Sequence, residues 1–121
     1  MEKESGHSFA AYYKRAVSPI IVLRLLREKE MYGYEISQAM LARSENKLGV
    51  SILYPVLYRL QSLGYIETSR TIIENGRARE YYKITPKGRD YLNSVILQYK
   101  ELSQLFLEIV DPEQEDTVWT Q

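Results

Sequence analysis

The sequence of 121 residues contains no cysteine. This excludes a disulfide framework and a thiolate metal site. The single histidine, His7, lies near the N-terminus, and no phosphate-binding loop or metal-ligand spacing of His, Asp and Glu is present. Paired carboxylates occur only at residues 113–116, in the terminal segment. We therefore expect no metal, no other cofactor and no enzymatic activity.

The sequence also lacks long apolar runs. None approaches the about 18 residues that a membrane-spanning helix needs, and no signal peptide is recognisable. We therefore expect a cytoplasmic protein with no membrane partner. The length favours one domain, and the apolar content of 45% favours a packed core over disorder.

The net charge is zero, but the charges are segregated along the chain. Residues 1–100 hold all 16 Lys and Arg and 10 of the Asp and Glu, whereas residues 101–121 hold six acidic residues and no basic one. A solvated acidic tail is one interpretation. The other is that the basic part faces a polyanion and the acidic end points away from it. The eleven tyrosines suit a wet interface as well as a core.

Hydrophobic periodicity predicts helices through the N-terminal half of the chain. A short helix is expected over residues 9–16. The pair Ser18-Pro19 is typical of a helix start, with a cap residue before a first-turn proline, and this helix is expected to continue over residues 20–27. After a polar break at residues 28–31, the next helix is expected to open with Gly33 as its N-cap.

The period of the apolar residues changes from 3.6 to 2 after Gly64, which is expected to end a third helix over residues 51–63. Asn75-Gly76 is a strong hairpin signal, so the strand before it and a strand over residues 79–85 are expected to pair. A proline after a threonine cap then starts a last helix, which is expected to run to about Val110.

The outer face of the third predicted helix is almost uncharged. It consists of Ser51, Pro55, Tyr58 and Ser62, with Tyr54 and Arg59 beside them. Lys and Glu would be typical of a merely solvated face, whereas small or flat residues and hydroxyls can approach base edges in the major groove of DNA. We interpret this face as a DNA-reading surface. A solvent-exposed amphipathic helix is the alternative.

The predicted hairpin carries three cations. Arg77 and Arg79 flank the turn, and Lys83 lies further along the strand. Arginines at the tip of a β-ribbon can reach phosphates or the minor groove. An ordinary charged hairpin is the alternative.

Apolar residues of the last helix follow alternating spacings of three and four. They are Leu92, Val95, Tyr99, Leu102, Phe106 and Ile109. This spacing is that of a coiled-coil seam and predicts a homodimer. Phe9, Tyr12 and Tyr13 are expected to share the interface. A helix that lies on its own domain is the alternative.

The predicted element order is that of a winged helix-turn-helix. The expected fold class is mainly α with a small β-hairpin (α+β): a winged helix-turn-helix domain with a long C-terminal dimerisation helix. The expected divisions are an N-terminal segment with a short helix at residues 1–17, the DNA-binding domain at 18–85, the dimerisation helix at 86–110 and an acidic flexible tail at 111–121.

Three motifs carry a family resemblance: YGYEI at residues 32–36, LYPVLYRLQSLGYI at 53–66 and GRAREYYKITPKG at 76–88. From about Pro19 to Leu92 the chain resembles the PadR family of bacterial transcriptional regulators. The resemblance implies a winged-helix DNA-binding domain, a C-terminal dimerisation helix and repression relieved by a ligand or signal.

The resemblance also implies residue roles. Tyr34 corresponds to the phosphate-contacting tyrosine at the start of the family's second helix. The tip of the recognition helix corresponds to Ser51, Ile52, Tyr54 and Pro55. Three positions depart from the family pattern: Tyr32 stands where His is frequent, Ser51-Ile52 where Gly-Thr is common, and Glu80 where Lys is usual. The single C-terminal helix resembles the small subfamily.

We therefore expect a sequence-specific DNA-binding regulator, a ligand-responsive repressor that acts as a homodimer on a pseudo-palindromic operator. Its partners would be double-stranded DNA, a second copy and a small flat apolar effector. Tyr91, Tyr99, Phe106 and Trp119 could line an effector site, although aromatics at helical spacing are more typical of a core. A winged-helix protein–protein interaction module without specific DNA binding is the alternative, because a fold does not fix a function.

Overall fold

The computed structural model describes residues 6–50 and 53–112. The helices are α1 (Phe9–Glu28), α2 (Gly33–Arg43), α3 (Tyr54–Ser62) and α4 (Pro86–Val110). The strands are β1 (Met31–Tyr32), β2 (Ile66–Glu74) and β3 (Arg77–Ile84), and they form one antiparallel sheet in the order β1-β3-β2. Within the described part of the chain, no helix has the length and apolar character needed to span a membrane.

Helix α1 is continuous across Ser18-Pro19, so the helix start predicted at this pair is wrong. The actual N-cap is Ser8, whose hydroxyl accepts a hydrogen bond from a first-turn N–H. An interior proline costs up to about 3 kcal/mol, because it cannot donate to the carbonyl four residues earlier. Burial of four apolar residues outweighs this, at about 1.5–3 kcal/mol for each fully buried side chain. They are Val22, Leu23, Leu25 and Leu26.

The start of α2 differs from the prediction by one residue. Tyr32 is the N-cap and Gly33 is the first helical residue. Glu35 Oε1 accepts a hydrogen bond from the Tyr32 N–H at 3.2 Å, and its charge lies at the positive end of the helix dipole. Met31 and Tyr32 also form β1, which was not predicted. A strand of two residues has no alternation to detect, so its pairing with β3 rather than a local pattern determines it.

The predicted hairpin is confirmed. Asn75 (φ 53°) and Gly76 (φ 75°) both have positive φ, as a two-residue turn of type I′ requires. The ladder between β2 and β3 has a bulge between Thr68 and Arg70. This bulge turns the side chain of Ser69 toward Glu30, whose carboxylate accepts its hydroxyl at 2.9 Å.

The end of α3 and both ends of α4 follow the predicted signals, whereas α3 begins at Tyr54, three residues later than predicted. Gly64 has a φ of 82° and ends α3, where residues with a side chain would be strained. Thr85 caps α4 by accepting a hydrogen bond from the Gly88 N–H at 3.0 Å, and Pro86 is the first helical residue. Helix α4 ends at Val110, with Asp111 as its C-cap.

One hydrophobic core joins the inner faces of α1, α2 and α3, one face of the sheet and the start of α4. The most deeply buried side chains come from all these elements: Leu23, Ile36, Leu57, Ile66, Tyr82 and Leu92. The architecture of α2, α3 and the β2–β3 hairpin is that of a winged helix-turn-helix. The prediction that Leu92 belongs to the dimer seam of α4 is wrong. Its side chain is 1% exposed and packs in the core of its own chain.

A junction of hydrogen bonds holds the end of α3 against the start of α4. Lys87 Nζ donates to the Leu63 carbonyl at 2.9 Å, and Thr85 Oγ1 donates to the Gly64 carbonyl at 2.7 Å. The last carbonyls of a helix have no partner within it. The start of α4 therefore supplies hydrogen-bond donors to two carbonyl groups at the end of α3.

The junction is also tightly packed. The rings of Tyr65 and Tyr91 stack with centroids 4.2 Å apart and an interplanar angle of 9°. A Cβ at Gly88 would lie 2.1 Å from the Tyr65 carbonyl oxygen, so only glycine fits there. The same carbonyl accepts the Thr85 N–H at 3.0 Å.

Candidate nucleic-acid interface

A groove of about 300 Å³ lies between the start of α2, the outer face of α3 and the β2–β3 hairpin. Three of its tyrosines are exposed: Tyr34 (63%), Tyr54 (54%) and Tyr58 (61%). Tyr34 stands in the first turn of α2. The other two lie one turn apart on α3, with ring centroids 6.2 Å apart. Exposed aromatic groups gathered in one concave surface indicate a contact site rather than a solvated face.

Gly33 leaves room for the ring of Tyr54 in this groove. A Cβ at Gly33 would lie 2.9 Å from the Tyr54 hydroxyl oxygen and 3.3 Å from the neighbouring ring carbon. Real Cβ contacts are almost never that short. Glycine at this position therefore lets the ring of Tyr54 lie against the first turn of α2.

Tyr82 lines the groove from β3. It is 2% exposed, and its hydroxyl donates a hydrogen bond to Glu80 Oε1 at 3.1 Å. Burial, followed by the negative charge of Glu80, raises the pKa of Tyr82 to about 12. The exposed carboxylate of Glu80 makes the groove less basic than the hairpin tip. A carboxylate repels phosphate but accepts from the exocyclic amine of a cytosine.

The three hairpin cations lie in different surroundings. Arg77 follows the turn directly and is exposed. The side chain of Arg79 is only 26% exposed, with Nε 2.8 Å from Glu74 Oε1. Lys83 Nζ lies 3.6 Å from the carboxylate of Glu67, at the base of the hairpin and roughly 20 Å from Arg77 along the strand. Only Arg77 thus combines the tip position with an exposed side chain.

A second exposed surface covers the C-terminal half of α4 and is apolar. Its large exposed residues are Tyr99, Leu102, Leu105, Phe106, Ile109 and Val110, whereas the exposed Leu97 and Leu107 lie on other sides of the helix. Phe9 (72%) and Tyr12 (51%) of α1 are exposed as well. An apolar surface of this extent is typical of an interaction site.

Helix α1 reaches this second surface through two tyrosines. The hydroxyl oxygens of Tyr13 and Tyr99 lie 3.0 Å apart. The hydrogen bond with Tyr99 is the main cause that raises the pKa of Tyr13, and burial adds to it. Val95, on the preceding turn of α4, is half-buried.

A match to the transcriptional regulator PadR-like family covers residues 22–94, which include α2, α3 and the whole hairpin. The chain belongs to the PadR-like family. This confirms the resemblance seen in the sequence and the expected α+β winged-helix fold, while dimerisation through α4 stays a prediction. PadR-like proteins are transcriptional regulators and not enzymes, and this chain is a winged-helix DNA-binding regulator.

Individual proteins are also similar to this PadR-like chain. It is 39% identical over 93 residues to an uncharacterized protein of Lysinibacillus sphaericus, covering 73% of this chain and 85% of that protein. It is 29% identical over 92 residues to a transcriptional regulator of Mycobacterium tuberculosis, covering 76% and 84%. It is similar to a solved transcriptional regulator from Clostridium thermocellum, with a TM-score of 0.75, 28% identity and coverage of 83% and 99%.

Five of the ten residues predicted from the sequence to bind DNA line the groove of this PadR-like chain. They are Tyr34, Tyr54, Tyr58, Arg77 and Arg79. Pro55 and Arg59 are exposed on α3 but do not line it, and Lys83 lies at the hairpin base. Ser51 and Ile52 lie outside the described residues, as do Trp119 and most of the predicted acidic tail.

Sequence reasoning did not place Gly33, Tyr32, Glu80 and Tyr82 in the groove. A signal existed for two of them. Every second residue of a strand points to the same face, so Glu80 and Tyr82, two positions apart on β3, lie on the same face of the sheet. For Tyr32 and Gly33 no local signal existed, because their position depends on the pairing of β1 and the packing of Tyr54.

Proposed function

We propose that the chain binds a specific operator, with α3 in the major groove and the hairpin tip on the adjacent backbone or minor groove. The exposed, uncharged tyrosine face of α3 beside a basic hairpin tip carries this proposal. Tyr54 and Tyr58 offer rings and hydroxyls to base edges, together with Ser51, Ile52 and Pro55. Tyr34 and Arg59 would contact phosphates, which fix register without reading sequence.

Selection of bound sequences from a random DNA library, followed by fluorescence anisotropy, tests this reading role. Tyr54→Ala should weaken binding to the selected site roughly 5- to 150-fold, as expected for loss of a base contact, and weaken binding to random DNA much less. Tyr54→Phe separates the hydroxyl from the ring. If Tyr54→Ala weakened binding to the selected site and to random DNA equally, Tyr54 would not read the sequence. Failure to select any sequence would favour a protein–protein interaction module.

Phosphate contact by the hairpin is tested through salt dependence. For duplex DNA the log–log slope of affinity against salt changes by about 0.9 for each phosphate neutralised. Arg77→Ala should therefore flatten the slope by about one unit and leave the selected sequence unchanged. An unchanged slope would remove the hairpin tip from the DNA.

We also propose a homodimer formed through α4, with residues 18–85 as the DNA-binding part and 86–110 as the dimerisation helix. The support is the apolar surface of α4, where Tyr99, Leu102, Phe106 and Ile109 are all about half exposed or more. Phe9, Tyr12 and Tyr13 of the partner would complete the interface. A two-fold dimer requires matched half-sites about 34–36 Å apart, in a pseudo-palindromic operator.

Sedimentation of a matched pair of variants tests the dimer. Leu102→Glu places a charge on the seam and should give a monomer at micromolar concentration that retains its fold and loses operator binding. Leu97→Glu adds the same charge at an exposed position that points away from the seam, so it should remain dimeric. A wild-type monomer, or a dimeric Leu102→Glu, would contradict this arrangement.

We further propose repression relieved by a small flat apolar effector, in the bacterial cytoplasm where the operator lies. The aromatic side chains near the Tyr13–Tyr99 pair support a flat ligand between the two copies. 2-Naphthol, a flat apolar compound, can serve as a probe and should lower operator affinity in anisotropy. In a separate assay, a promoter fused to a reporter should be more active without the protein. A reporter that is less active without it would indicate an activator.

A further inference from the structure

A continuous row of charged and aromatic side chains crosses one face of the sheet. Paired strand residues share a face, so Arg79, Tyr81 and Arg70 lie together, on the side opposite the buried Tyr82. Tyr32 joins this face through its pairing with Tyr81. We refer to the row Glu74–Arg79–Tyr32–Tyr81–Arg70–Glu30 as the sheet ladder.

Each step of the sheet ladder is a close contact. Arg79 Nε lies 2.8 Å from Glu74 Oε1, and its guanidinium carbon lies 4.8 Å from the ring centroid of Tyr32. The charge pair is not a hydrogen bond, because Arg79 Nε has no hydrogen-bond partner among the described residues. The centroids of the Tyr32 and Tyr81 rings are 5.2 Å apart.

The other half of the sheet ladder repeats the same chemistry. The guanidinium carbon of Arg70 lies 4.1 Å from the Tyr81 ring centroid, and its Nε lies 3.1 Å from Glu30 Oε1. Ser69, at the bulge, donates to the same carboxylate. These hydrogen bonds, from Ser69 first and Arg70 second, lower the pKa of Glu30.

The sheet ladder joins parts of the chain that have different positions in the interface. Glu74 adjoins the hairpin turn, Tyr32 is the N-cap of the helix that carries Tyr34, and Glu30 precedes β1. An isolated two-stranded ribbon is marginally stable in water. Contacts across three strands therefore fix the direction of the hairpin relative to the start of α2.

We propose that Arg79 is a positioning residue that holds the hairpin through Glu74 and Tyr32, and that it does not contact DNA phosphate. This replaces the phosphate contact expected for Arg79 from the sequence, and it rests on the proposed DNA-binding function. The partial burial of its side chain and the neutralising carboxylate distinguish Arg79 from the exposed Arg77. A phosphate would have to compete with the carboxylate of Glu74 for the guanidinium charge.

Salt-dependent binding to the selected operator distinguishes the two arginines. Arg79→Ala should weaken binding about five- to tenfold with the slope unchanged, whereas Arg77→Ala flattens it by about one unit. Tyr32→Leu should resemble Arg79→Ala, and the double variant should be no weaker than either single one. Tyr32→Phe keeps the ring and should retain the wild-type rate of amide exchange in the DNA-free protein. A slope flattened by Arg79→Ala, or additive losses, would overturn the proposal.

Amide hydrogen exchange of the DNA-free protein tests the sheet ladder independently of the operator. Arg79→Ala should accelerate exchange in residues 70–81 roughly fivefold, the factor for loss of one cation–π contact, while Arg77→Ala should not. Unchanged exchange in Arg79→Ala would refute the positioning role even if operator binding were lost. Faster exchange with no operator binding by the wild type would refute the proposed function and leave the sheet ladder intact.

Discussion

Replacement of Gly88 by alanine is a severe test of the junction between α3 and α4. Alanine in a helix is normally more favourable than glycine by about 1 kcal/mol, so the substitution would stabilise an ordinary helix. Here the added Cβ would lie 2.1 Å from the Tyr65 carbonyl oxygen and 2.9 Å from Ile84 Cγ1, against 3.4 Å or more for ordinary contact. The oxygen would have to move by more than 1 Å.

The cost of that movement follows from what the oxygen does. It accepts the Thr85 N–H at 3.0 Å, and a typical hydrogen bond contributes about 0.5–1.5 kcal/mol. Overpacking against a fixed backbone costs about 1–3 kcal/mol. After the gain in helix propensity is subtracted, we expect Gly88→Ala to lower the free energy of unfolding by about 0.5–3.5 kcal/mol.

Urea unfolding followed by circular dichroism measures this change. The protein concentration must be fixed, because the proposed dimerisation would make stability depend on concentration. Lys100→Ala, at an exposed position of the same helix, is the matched control and should remain within about 0.5 kcal/mol of the wild type. A Gly88→Ala protein as stable as the wild type, or more stable, would refute the tight junction.

Three further outcomes follow from the contacts described. Pro19→Ala should raise the free energy of unfolding by about 1–3 kcal/mol in urea titrations, because it restores an interior helix hydrogen bond; a loss would mean that the ring's packing matters more. Because the folded pKa of Tyr82 is raised, its stabilisation is complete below pH 10 and lost as pH rises toward 12, by on the order of 2 kcal/mol; Tyr82→Phe should remove that slope in unfolding measured against pH. The pKa of Glu30 is lowered, so its contribution is present above pH 4.5 and lost on further acidification; Glu30→Gln should flatten the acid limb of the stability profile, and an unchanged limb would contradict the bonds to Ser69 and Arg70.

The elements that sequence predicted correctly are those encoded by adjacent residues. Asn75-Gly76 specifies its turn because both residues tolerate positive φ, and Thr85-Pro86 specifies a helix start because cap and proline act within one turn. Ser18-Pro19 carries the same local signal, yet it lies inside α1. The difference is the burial of the side chains around it, which depends on elements distant in the sequence.

The candidate interface was predictable to the same extent. The outer face of α3 follows from helical spacing, so Tyr54 and Tyr58 were recognised. Periodicity did not show whether an apolar residue faces its own core or a partner, and Leu92 therefore entered the predicted seam although it is buried. The neutralisation of Arg79 was equally hidden, because a strand sequence does not show which carboxylate and ring lie beside a guanidinium.

The junction at Thr85, Lys87 and Gly88 has a consequence for how operator choice could change. Its hydrogen bonds and the Tyr65–Tyr91 stack leave α3 and α4 no independent hinge within one protomer. In a dimer formed through α4, the distance between the two recognition helices is then set by the crossing angle of the two α4 helices. Substitutions in α4 that change this crossing angle would therefore change the half-site spacing that the dimer binds, without altering any residue that contacts DNA.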